Sequence, residues 1–303
     1  MKNFASVGRG GRKGYLLGFC LPLFISLPVL FSTQSNAQGN LLIFPKRVVF
    51  EGGKKSEVIT LSNTGKDTAK YSISFVQMRM HEDGSFENIS QPDSGQLFAD
   101  TFIRIFPRSV VLAPNESQVV KLQLTKTNEL RPGEYRSHLY FRAIPDAKSL
   151  GQNGTEVAST SISVHLVPVF GVTIAAIIRV GETNTNVSLS NLSFERLNDS
   201  VPVLKMEFNR TGNNSVYGDI AVNYLPPKGK ATKVGEIQGF AVYTPNQLRR
   251  CKIELKQSDG IDYTIGKLSV TYSAQPEYKS AKLAEAELQL QKDLPDAISQ
   301  KQK

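Results

Sequence analysis

Residues able to serve as a general base or a reactive nucleophile are few in this chain. There are three histidines, His81, His138 and His165, and two cysteines, Cys20 and Cys251. A Ser or Cys nucleophile needs a base within hydrogen-bond reach and a sharp turn that exposes it. None of the three histidines lies in a segment with that pattern, and none has metal-ligand spacing to another His or to Cys. No glycine-rich phosphate loop follows a strand-like run, since Gly52-Gly53 reads as a turn and Gly8, Gly10 and Gly11 fall within the leader. The expectation is a protein with no catalytic residue, no metal site, no cofactor and no small-molecule substrate. His138 and His165 read as strand residues on a polar face, and Cys251 as a small buried apolar side chain.

The chemistry left to such a chain is backbone pairing and side-chain burial, so the elements that present strands matter most. From Leu41 to Ala274 the period is two almost throughout. Tyr71, Ile73 and Phe75 alternate with polar neighbours, and Val120, Leu122 and Leu124 alternate with Val119, Lys121 and Gln123. The runs are separated by GG, NTG, DG, PNE, RPG, PPKG and SDG. Short alternating runs punctuated by turn residues predict an all-β chain of two immunoglobulin-like β-sandwich domains in tandem. The first domain is read as 38–175, with a polar loop DAKSLGQNGTE before its last strand. The second is read as 176–275, opening on the strand IIRVG. Residues 276–303 are rich in Ala, Glu, Gln, Lys and Leu and read as a polar tail, either a short helix or a frayed terminus.

The N-terminus is a targeting signal by its pattern. Arg9, Arg12 and Lys13 precede an apolar stretch, Tyr15 to Phe31, that Pro22 and Pro28 interrupt, and SNA follows before Gln38. This predicts a secretory leader over residues 1–37 and a mature chain in the periplasm. The stretch is short for a membrane span. The formal charge of +9 includes four cations in the leader, so the mature chain is mildly basic. Its cations are scattered rather than gathered with aromatics on one face, and nucleic acid is not expected as a partner. Cys20 leaves with the leader, so no intramolecular disulfide forms. The Asn-x-Ser/Thr sequences, at Asn88, Asn115, Asn153, Asn186, Asn191, Asn198, Asn209 and Asn213, read as polar loops and strand faces.

Three stretches carry a further signal: FPKRVVFEGGKKSEVITLSN (Phe44 to Asn63), FIRIFPRSVVLAPNESQVVKL (Phe102 to Leu122) and LRPGEYRSHLYFRAIP (Leu130 to Pro145). In this order, behind a leader, they resemble the first domain of the periplasmic chaperones of the chaperone–usher pathway of pilus and fimbrial assembly, nearest its archaic or alternative branch. The resemblance spans roughly 40–180, and the second domain carries no diagnostic motif. It implies a chaperone that binds, folds and caps fimbrial subunits by lending them a β-strand, then delivers them to an outer-membrane usher. The lent strand falls where the even positions are all apolar: Ile162, Val164, Leu166, Pro168, Phe170 and Val172. Alternation alone leaves open whether that face is lent or covers the domain's own core. Pro168 lacks an N–H and suits an edge strand.

The resemblance also implies a basic anchor for the subunit's terminal carboxylate. Arg47 stands at the family's arginine, and a guanidinium binds carboxylate bidentately. The family's second anchor is a lysine, and Ala175 stands at that position here. Arg104, Arg108 and Arg136 are the candidates to replace it, although each reads first as an ordinary solvated strand charge. The tail and the missing lysine favour the other reading of the sequence, an immunoglobulin-like adhesin or envelope structural protein.

Overall fold

The computed structural model describes residues 40–145, 168–198, 200–258, 260–275 and 281–291. The leader, and with it the expected processing site, lies outside them. Alternation of apolar and polar residues makes nearly every described segment a strand. The clearest case is VYGDIAVNYL, in which every second side chain is buried. Among the described residues no helix is long and apolar enough to cross a membrane.

The first sandwich contains β1 (Leu41–Phe44), β2 (Arg47–Phe50), β3 (Ser56–Asn63), β4 (Ala69–Val76), the hairpin β5 (Met78–Met80) and β6 (Phe86–Asn88), β7 (Ile103–Phe106), β8 (Ser109–Leu112), β9 (Ser117–Leu124), β10 (Gly133–Ala143) and β11 (Gly171–Val180). One sheet has the order β1-β3-β9-β7 and will be called distal; the other, β2-β11-β10-β4-β8, proximal. The chain steps from the distal to the proximal sheet over two short proline-containing links, at Phe44-Pro45 and at Phe106-Pro107, both cis. Ile59, Leu61, Val120 and Leu122 of the distal sheet meet Phe50, Leu139, Phe141, Ala176 and Ile178 of the proximal sheet in one core. Two sheets facing each other with this switched edge strand make an immunoglobulin-like sandwich.

The second sandwich contains β12 (Thr185–Leu197), β13 (Val201–Gly212), β14 (Val216–Leu225), β15 (Thr232–Val242), β16 (Leu248–Glu254), β17 (Lys267–Ala274) and β18 (Lys282–Gln289). Its sheets are β12-β13-β16 and β15-β14-β17-β18. Phe208, Phe240 and Tyr272 contact one another at the centre of its core, with Phe208 and Phe240 ring centres 4.4 Å apart. Cys251 lies in this core, and burial pushes its thiol up to about 11.

Two boundaries differ from the sequence reading. IIRVG does not open the second domain. Ile177 to Val180 continue β11, in register with β10 and β2, and Ile178 fills the first core. The strand is apolar on both faces here because both are covered, which local alternation cannot distinguish from a new domain's first strand. The tail is neither a helix nor frayed over Lys282–Gln289. These residues pair along β17 as an edge strand, and Leu290 is buried in the second core. KLAEAELQ has helix-favouring composition, but the open edge of β17 and the core contact override that propensity.

Candidate functional site

β10 and β11 turn their even and odd positions to different surroundings. On one face, Tyr135, Leu139 and Phe141 enter the first core. On the other, side chains meet the second sandwich. His138, Ala175 and Arg47 pair in one row across β10, β11 and β2; Arg136, Ile177 and Val49 form the next; Glu134 and Arg179 pair in the third. Val49, Ala175, Ile177 and Met80 pack with Ala241 and Tyr243 of the second sandwich, so the face is buried rather than solvated.

Glu134 is the hub of the polar part. Its carboxylate accepts hydrogen bonds from the Ser215 amide at 2.9 Å, the Ser215 hydroxyl and the Thr244 hydroxyl at 3.1 Å, and pairs with Arg179 Nε at 3.1 Å. Arg179 also reaches Glu51 at 3.1 Å and the Ser215 carbonyl at 2.9 Å. Burial works to raise the Glu134 pKa. Arg179, the two Ser215 bonds and Arg47 more than offset it and hold the carboxyl below its ordinary value. The group is therefore ionised, and it ties β10 and β11 to the segments flanking β14 and β15.

The hairpin of β5 and β6 adds a second tie. The Arg250 amide donates to the Glu82 carbonyl at 2.6 Å, and Asn246 Nδ2 donates to the Met80 carbonyl at 2.7 Å. Gly84, at φ +86°, carries no Cβ where the Arg249 guanidinium passes, so the turn fits closely over the second sandwich.

Arg47 is 9 % exposed. Among the described residues, its buried Nε and Nη2 have no hydrogen-bond partner. Those two nitrogens form the side-on fork of a guanidinium, the edge a carboxylate takes bidentately. Leaving buried donors unpaired is costly, so an orphaned fork marks a place where an anionic acceptor is favoured. Arg136 is also buried, but it donates to the Met78 and Thr244 carbonyls, both at 3.3 Å. His138 is 4 % exposed, with Phe86 and Tyr243 edge-on to its ring. Burial and then the Arg136 charge depress its pKa to about 3, so the imidazole is neutral. The polar face expected for His138 is thus present but covered.

The other expected cations are elsewhere. Arg104 is exposed on β7, on the outward face of the distal sheet. Arg108 is exposed at the switch between β7 and β8. Neither joins Arg47, which lies on the outward face of the opposite sheet. Of the four arginines, Arg47 and Arg136 share a face. Ala175 pairs directly with Arg47, so a methyl group occupies the neighbouring position.

Of the apolar even positions, Ile162, Val164 and Leu166 lie outside the described residues. Pro168, Phe170 and Val172 are exposed, the last two at 49 % and 42 %. Val172 sits opposite Phe141 on β10. β2 pairs with β11 only from Ala175 to Ile178, so over Gly171–Ile174 the other edge of β11 has no partner strand among the described residues. From Ile174 onward the same face turns into the first core.

Glu134, Arg179, Ser215, Thr244 and Tyr217 were not singled out by sequence reasoning. The available signal was the charge within GEYRSHLYFRA, where Glu134, Arg136 and His138 occupy alternate positions of a strand. That spacing places them on one face without saying what covers it.

No protein-family model matches the chain, and no curated protein matches it. Among solved structures, the chain is similar to the YadV chaperone, at 11 % identity over 83 % of this chain and 100 % of that one, with a TM-score of 0.41. It is similar to the CupB2 chaperone of Pseudomonas aeruginosa, at 13 % identity over 82 % and 98 %, TM-score 0.39. It is also similar to a chain from the CsuC–CsuE chaperone–tip adhesion subunit pre-assembly complex of the archaic chaperone-usher Csu pili of Acinetobacter baumannii, at 14 % identity over 84 % and 100 %, TM-score 0.37.

Proposed function

We propose that this protein is a periplasmic chaperone that captures fimbrial subunits by lending them the exposed edge of β11, anchors their terminal carboxylate at Arg47, and passes them to an outer-membrane usher. The observation that carries the reading is the exposed start of β11. An apolar strand edge left open in water is an invitation to pairing, and proteins ordinarily cover it. Here Phe170 and Val172 present apolar side chains along a strand edge that has no partner strand among the described residues, the two things an incomplete sandwich needs to complete its core. The segment leads directly to Arg47's orphaned fork, one residue beyond the end of the open edge. On this reading Ile162, Val164 and Leu166 continue the lent face, and the described domains correspond to a capture domain followed by a supporting one. The protein acts by binding and catalyses no reaction.

Co-expression with small pilin-like chains in a periplasm tests it. The expected result is a stable one-to-one complex. Phe170→Glu and Val172→Glu should abolish recovery of intact subunit while leaving the free chaperone folded by circular dichroism. Arg47→Ala should weaken capture by about 2–5 kcal/mol, the cost of stranding one partner of a desolvated charge pair. A secreted chain that accumulates alone, with no subunit protected in its presence, would turn the assignment to a surface adhesin or envelope component.

A further inference from the structure

Arg47 comes from the first sandwich, but the ring on which it lies comes from the second. Its guanidinium carbon is 4.7 Å from the centre of the Tyr217 ring. Tyr217 lies on β14, opposite Ala241 of β15, and packs beside the apolar cluster between the sandwiches. Its hydroxyl is 2.7 Å from where a Cβ on Gly239 would stand, and Gly239 has φ +70°. A side chain there would both strain the backbone and displace the ring. The residue that leaves room for Tyr217 is therefore a glycine, and the ring it accommodates lies against the Arg47 guanidinium.

The neighbouring arginine is stacked in the same way. Arg136 lies 4.6 Å from the centre of the Tyr243 ring. It differs in being hydrogen-bonded to two carbonyls across the site. Arg47 is thus the stacked arginine whose fork is open, and on that edge no hydrogen bond within the described residues fixes the side chain. A ring holds a guanidinium by its face, whereas a carboxylate takes donors in its plane. Stacking and anion binding do not compete, and the first can set the orientation for the second.

We propose that Tyr217 is the positioning residue of the carboxylate anchor, holding the Arg47 guanidinium so that its Nε–Nη2 edge meets the incoming carboxylate. This rests on the reading of Arg47 as that anchor. It gives the second sandwich a part in subunit capture, although the lent strand and the anchor both belong to the first.

The test uses the full mature chain and two synthetic probes, an apolar peptide with a free C-terminal carboxylate and the same peptide amidated. The quantity read is the ratio of their affinities by calorimetric titration. The unaltered chain should prefer the free acid, and Arg47→Ala should erase the preference. Tyr217→Leu should lower it about two- to thirtyfold, the range of a stacked cation from exposed to desolvated. Tyr217→Phe should retain it. Tetrafluorinated phenylalanine at position 217 should lower it while keeping ring size and thermal midpoint, since fluorine withdraws the negative face of the ring. That variant decides the matter if Tyr217→Leu does not fold. An unchanged preference in the fluorinated chain, with Arg47→Ala still erasing it, would overturn the positioning role alone. No preference in the unaltered chain, or a preference that survives Arg47→Ala, would remove the anchor and the positioning role together.

Discussion

The two ends of β11 share a strand and an alternating pattern but not an environment. Over Gly171–Thr173 both faces are exposed and one edge has no partner strand among the described residues. Over Ile174–Ile178 one face fills the first core, the other meets the second sandwich, and from Ala175 the edge is closed by β2. Val172 and Ile174 point the same way, yet the first is 42 % exposed and the second 6 %. The difference owes nothing to side-chain chemistry, since both are β-branched and apolar. It follows from how far the first core extends along β11, since Ile174 belongs to it and Val172 lies beyond it. A strand can be anchored at one end and offered at the other when its covering elements stop midway.

Breaking the sealed end should have the largest effect. Glu134→Ala removes the buried carboxylate, leaving the half-buried Arg179 with Glu51 as its carboxylate partner and the Ser215 hydroxyl proton without its acceptor, and breaking a buried pair costs up to about 3–5 kcal/mol. Urea unfolding should show that loss, with the thermal midpoint falling several degrees. Ile178→Ala is next. The side chain is 1 % exposed in the first core, and truncation there should cost about 2–4 kcal/mol by the same measurement.

Acid sharpens the comparison through His138, which lies at the junction of the two ends. Its folded pKa, about 3, lies below the ordinary 6.5. The stability it contributes is therefore complete above pH 6.5 and is lost as the pH falls from there toward 3. At pH 4 the loss should be on the order of 3 kcal/mol, taking one unit as about 1.4 kcal/mol. His138→Gln should flatten the stability profile in that window and leave the slope from the carboxylates. Glu134 adds a slope of the same sign further down, lost as the pH falls below the ordinary carboxylate range through its depressed pKa.

The smallest effect belongs to the exposed end. Val172→Ser should change the stability of the isolated chain by less than about 0.5 kcal/mol, the usual range for an exposed side chain. Under the proposed function the same substitution lowers recovery of subunit complexes. A loss of several kcal/mol in the free protein would mean that this end is covered after all, and the comparison would fail at its centre.

The period of two and the spacing of turns were legible along the chain, because each depends on neighbours a few residues apart. So was the apolar even face through Val172, and so was Arg47 as a cation beside an apolar run. What the linear pattern left open was which surface each face meets. IIRV reads as the start of a domain until β10 and β2 are seen on either side of it. KLAEAELQ reads as helix or tail until the edge of β17 claims it. Arg104, Arg108 and Arg136 were equivalent as letters, and the sandwich put the first on the opposite face, the second at an exposed switch, and the third beside Arg47. Glu134 met Ser215 and Thr244, and Arg47 met Tyr217, across 81, 110 and 170 positions of sequence. Contacts at that separation arise from docking one sandwich on another, and burial, with the pKa shifts and orphaned donors that follow from it, exists only once that docking is made.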